Sequence, residues 1–94
     1  NARIISVPSG EECLQRLQEN PDVIILDYTL KGMNGLETLK QIKQAQPDVP
    51  VIVVSSQTQI QTAVELMNAG ALDYVEKNNF PTERIVSILH TLNF

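Results

Sequence analysis

Apolar residues recur in two rhythms along this chain. Short apolar runs alternate with stretches in which apolar positions fall three or four residues apart. Ile4, Ile5 and Val7 form the first run, Val23 to Leu26 (V-I-I-L) the second, Val51 to Val54 (V-I-V-V) the third and Leu72 to Val75 the fourth. Short aliphatic, largely β-branched runs bounded by turn formers predict strands, and the unbroken ones predict strands buried on both faces. Between and after them, four sets repeat at helical spacing: Cys13, Leu14 and Leu17; Leu36, Leu39 and Ile42; Ile60, Ala63, Val64 and Met67; and Ile85, Ile88, Leu89 and Leu92. On the second of these helices Lys40, Lys43 and Gln44 are expected mostly on the wet side.

Local signals punctuate the pattern. Ser9 with Glu12, Asn34 with Glu37 and Thr58 with Gln61 have capping-box spacing, in which two side chains satisfy free amides at a helix start. Asn20-Pro21 and Gln46-Pro47 stop the first two helices. Gly70 is placed to cap the third, since glycine accepts a left-handed backbone, and Pro81 suits the first turn of the fourth. The order β-α-β-α-β-α-β-α predicts parallel strands joined by right-handed crossovers. The 94 residues are expected to form one domain, residues 1–94.

Composition excludes several classes. With 43% apolar residues the chain is globular rather than disordered. A formal charge of −4 argues against direct contact with nucleic acid or anionic lipid. No run of about 18 apolar residues exists to span a membrane. The start, N-A-R-I-I-S, has no signal-peptide pattern, and Cys13 is the sole cysteine, so a reducing, cytoplasmic setting is expected. Cys13 reads as a core residue, His90 as an ordinary helix residue, and Glu11, Glu12 and Glu19 as a solvated helix face.

Chemistry gathers at the strand ends. Asp27, Ser55 and Lys77 each follow the apolar part of a different strand. Parallel strands bring their carboxyl ends to one edge of the sheet, where ligands bind in open α/β folds. A carboxylate there can attack phosphorus and form an acyl phosphate. Lys77 can neutralise the added charge and Ser55 can donate a hydrogen bond. No G-x-G-x-x-G or Walker-type loop supports a nucleotide or flavin enzyme instead.

At these residues the chain resembles the response regulator receiver domain of two-component signalling. D-Y-T-L-K-G-M-N-G (Asp27 to Gly35) is similar to the family's phosphoacceptor loop. P-V-I-V-V-S-S (Pro50 to Ser56) is similar to the strand ending in its switch hydroxyl, and A-G-A-L-D-Y-V-E-K (Ala69 to Lys77) to the segment with its switch aromatic and lysine. The resemblance implies a flavodoxin-like, doubly wound parallel sheet of order 2-1-3-4-5. It implies phosphorylation of Asp27 by a histidine kinase or phosphotransfer protein, with Mg²⁺ held by Asp27 and the backbone carbonyl of Thr29. Ser55 and Lys77 would contact the phosphoryl group. Tyr74 would turn inward and remodel the face made by the third helix, last strand and last helix, which meets an effector domain or other protein partner. The domain would then be regulatory rather than an enzyme, beyond its own phosphorylation and slow dephosphorylation. The alternative is a pseudo-receiver, a protein-binding module that takes no phosphate.

The sequence also departs from the family pattern. Lys31 and Asn78 stand where prolines are usual; Lys77-Asn78 is expected to be trans, since a non-proline cis bond costs about 3–4 kcal/mol. The chain opens on what resembles the family's second strand, without the first strand, its acidic pair and the helix after it. Mg²⁺ binding is therefore expected to be weak or absent in this chain. The missing strand would belong between Ile4–Val7 and Val23–Leu26. Three arrangements follow: a piece of a longer chain, which is the favoured reading; a first strand that moves into the empty place; or two chains that complete each other, as a homodimer through exposed strand edges.

Overall fold

The computed structural model describes residues 3–7, 10–27, 35–56, 60–77 and 81–92. Its strands are β1 (Ile4–Val7), β2 (Val23–Asp27), β3 (Val51–Ser55) and β4 (Asp73–Glu76). Its helices are α1 (Gly10–Arg16, continued by a 3-10 turn over Leu17–Glu19), α2 (Gly35–Ala45), α3 (Ile60–Asn68) and α4 (Pro81–Thr91). All four strands are parallel, in the order β1-β2-β3-β4. The predicted alternation of strand and helix holds. Asn34, Ser9 and Thr58, the proposed N-caps, lie outside the described residues.

Right-handed crossovers between successive neighbouring strands must all pass over the same face. Accordingly Cys13, Leu17, Leu39, Ile42 and Leu66 from α1, its 3-10 turn, α2 and α3 share one buried cluster with Ile5, Ile24, Leu26, Val51 and Val53. The last helix takes the other face. There Ile85, Ile88, Leu89 and Leu92 of α4, the predicted stripe, pack on Val23, Ile52, Val54 and Val75. Every residue of β3 is buried, as its unbroken apolar run requires.

Three expectations change. The resemblance places another strand between β1 and β2, yet the two pair directly, Ile4 opposite Val23 and Val7 opposite Leu26. Direct pairing satisfies the backbone groups that β1 and β2 turn towards each other. On α3 the expected stripe is the wrong one. Ile60 is 81% exposed, and Val64 and Met67 are exposed too, while Leu66 is the buried residue. Positions two apart sit about 200° around a helix; the sheet takes the side bearing Leu66 and the small Ala69, which allows close approach. Lys43, expected on the wet side, is half-buried, and its Nζ donates to the carbonyls of Val49 (2.6 Å) and Pro47 (3.3 Å).

Helix ends follow the sequence signals. Asn20 is left-handed at φ 53° and its N–H donates to the Leu17 carbonyl. Gly70 has φ 112°. Its N–H donates to the Met67 carbonyl and the Ala71 N–H to that of Leu66, the paired bonds of a Schellman cap.

Candidate functional site at the carboxyl edge of the sheet

Asp27 is the last residue of β2 and Ser55 the last of β3, because each apolar run gives way to a polar residue where its strand leaves the core. Lys77 follows β4 directly. The β3–β4 ladder carries Ser55 opposite Glu76 and is continued by one more bond, from the Lys77 N–H to the Ser55 carbonyl at 2.8 Å. That bond fixes the root of the lysine beside Ser55. From there the side chain crosses the end of β3, and Nζ meets Asp27 Oδ2 at 2.7 Å. Residues 50 positions apart in sequence thus form a charged pair over the end of the central strand.

The pair is about one-third open to water, the lysine side chain 38% and the aspartate 32% exposed. Ion pairs this exposed contribute about 0.2–1 kcal/mol, so its contribution to stability is small and its chemistry is the larger consequence. Ser55 beside it is fully buried. Tyr74 is half-buried and packs toward the cluster beneath α1 to α3, with its backbone N–H bonded to Asp73 Oδ1 at 2.7 Å. The structure therefore joins Asp27 and Lys77 directly, ties Ser55 to Lys77 through the backbone, and sets Tyr74 on the strand that leads to them. Thr29, Lys31 and Asn78 lie outside the described residues. The anchoring role of the Ser55 carbonyl was not visible in the sequence, since no side-chain pattern marks a main-chain acceptor.

Among the described residues no three His, Cys, Asp or Glu side chains come together as a metal group; Asp27 is the described residue that could give Mg²⁺ a carboxylate, and Thr29, the other expected ligand, lies outside them. Two surface grooves among the described residues lie elsewhere. One of about 670 Å³ runs between α1 and α2 past Leu14, Glu37 and Gln44, and one of about 350 Å³ lies among Pro21, Asp22 and Pro50 at the opposite edge of the sheet. No described helix is long and apolar enough to cross a membrane.

A parallel sheet carrying helices on both faces, with its charged pair at the carboxyl edge, defines a flavodoxin-like α/β domain. Comparison with known proteins takes this to a family: the model of the response regulator receiver domain matches residues 1–90, and the chain belongs to that family. It is 36% identical over 76 residues to the transcriptional regulatory protein ZraR of Klebsiella oxytoca, covering 80% of this chain and 17% of that protein. It is 43% identical over 70 residues to the DNA-binding transcriptional regulator NtrC of Klebsiella pneumoniae, covering 73% and 15%. A protein-glutamate methylesterase of Bacillus licheniformis is 47% identical over 72 residues, covering 73% and 20%. The chain thus spans a fifth or less of these relatives. Among solved structures, the receiver domain of NtrX from Brucella abortus matches with a TM-score of 0.79 at 29% identity, covering 93% of this chain and 75% of that one. The BeF3-activated DrrB receiver domain matches at 0.79 and 28%, covering 92% and 73%.

Proposed function

We propose that this domain is a phosphoacceptor, taking a phosphoryl group on Asp27 from a histidine kinase or phosphotransfer protein. The observation that carries the reading is the 2.7 Å contact of Lys77 Nζ with Asp27 Oδ2 at the carboxyl edge of the sheet. In the transfer an Asp27 carboxylate oxygen forms the new P–O bond. The donor's P–N bond breaks, and the departing imidazole keeps the electron pair and takes a proton from water. Lys77, already at the carboxylate, follows the charge that builds on the phosphoryl oxygens. Ser55, whose carbonyl holds the Lys77 backbone, is one residue position from that charge on the neighbouring strand and supplies a hydroxyl donor as it moves. Tyr74 shifts with it and alters the face of α3, β4 and α4, where Ile60, Val64, Met67, Leu72 and Val86 stand exposed. An effector domain or partner protein reads that face, and the domain acts in the cytoplasm.

The test is incubation with a small phosphodonor such as acetyl phosphate and Mg²⁺, read by intact mass. The expected result is one added phosphoryl group, lost in Asp27→Asn. Phosphate retained by Asp27→Asn overturns the assignment. A wild-type chain that takes none supports the pseudo-receiver reading.

A further inference from the structure

The outer edge of β1 is unlike the other strand positions. The Arg3 carbonyl accepts from Asp22 and Val23 N–H groups and the Arg3 N–H donates to Asp22 Oδ2, so residue 3 faces β2 with its backbone. Strand alternation then turns the backbone of Ile5 inward and presents the N–H and C=O of Ile4 and Ser6 outward, where no other described strand pairs with them. Both side chains stand on the face covered by α4, beyond the helix's reach: Ile4 is 41% exposed and Ser6 is exposed. Natural edge strands are usually blunted by charge, proline or a covering element. Within Ile4–Val7 there is no charge and no proline.

We infer that β1 pairs with β1 of a second copy of this chain, antiparallel about a two-fold axis, making one continuous eight-stranded sheet. A strand edge is self-complementary in that sense, and a two-fold contact uses the same patch on both copies. With Ile5 on the axis, Ile4 lies opposite Ser6 of the other copy in both directions, and the four outward donors and four outward acceptors of the two strands form four hydrogen bonds. Charge selects the direction. Parallel pairing would set the two Arg3 side chains next to each other, whereas antiparallel pairing separates them by about 14 Å along the ribbon. The two exposed Ile4 side chains come onto one face beside Ile25 of β2, which is only partly buried. Because the strands run opposite ways, the two Asp27–Lys77 sites end on opposite edges of the joint sheet and both stay open.

So short a contact belongs to the weak, concentration-dependent class of interface. Sedimentation equilibrium over a wide concentration range tests it, with hydrogen exchange at the Ile4 and Ser6 amides. The expected mass rises with concentration from the 10.5 kDa of one chain towards twice that, and the two amides gain protection in step. Ile4→Lys puts a charge on the exposed face, and Ser6→Pro removes an outward donor without touching a β1–β2 bond. Both are expected to stay folded by circular dichroism and to remain monomeric. A wild-type chain that is monomeric throughout overturns the proposal, as does a dimer that survives Ile4→Lys and is lost in Val64→Lys on α3. Protection of the Ile4 and Ser6 amides that is independent of concentration also overturns it, by showing the edge covered from within the chain.

Discussion

Ile60 and Leu66 sit six positions apart on α3 and differ almost completely in exposure, 81% against none. Leu66→Ala leaves a cavity under the helix and is expected to cost about 2–5 kcal/mol. Ile60→Ala removes little burial and should stay within about 0.5 kcal/mol. Urea denaturation of the two variants measures both, and equal losses would show that the sequence-derived stripe, not Leu66, faces the sheet. Cys13 offers a second measure of burial. Desolvation pushes its thiol up to about 11 against an ordinary 9.0, the nearby Arg16 charge pulling the other way. The folded state holds this proton more tightly than the unfolded chain. The stabilisation is therefore whole below about pH 9 and is lost as pH rises through about 11. Iodoacetamide at pH 8 is expected to label Cys13 slowly in the native protein and quickly in urea; rapid native labelling would contradict a buried neutral thiol. Asp27, Ser55 and Lys77 were legible as site candidates because a polar residue closing an apolar strand leaves a sharp mark. Lys43 was not, because a lysine beside other polar residues reads as solvated, and its acceptors are the main-chain carbonyls of Pro47 and Val49.

At the level of elements, those two bonds join the end of α2 to the turn into β3. Gly70, which ends α3, lies against the same lysine: a Cβ there would stand 3.2 Å from Lys43 Cγ and 3.3 Å from Cε. With φ at 112°, an alanine is strained whatever room the flexible lysine makes. Gly70→Ala is expected to destabilise by more than about 1 kcal/mol, seen as a lower melting temperature. An unchanged melting temperature would mean that the cap tolerates a side chain. Strands and helix stops were readable throughout, since proline and glycine act locally. The face of α3 was not. Apolar residues occur on both sides of that helix, and only the sheet decides which side is taken.

For the whole molecule, the parallel α/β plan followed from alternation alone, but the neighbour of β1 did not. The sequence of β1 fits beside any apolar strand, so nothing in Ile4–Val7 names β2 as its partner. The pairing is set by what else stands in the sheet. Its consequence reaches beyond the native structure, to the path by which the domain forms. Each strand pairs with its successor in the chain, closing loops of roughly 20–30 residues that differ little in entropy. No pair has to wait for a later strand, so the sheet can grow in the direction of synthesis, each new strand covering the edge left by the last. The exception is α4. It contributes no fully buried side chain and must return across the opposite face once β4 is in place. Its stripe rests on Val23, Ile52, Val54 and Val75, so its docking surface is complete only when β2, β3 and β4 are paired.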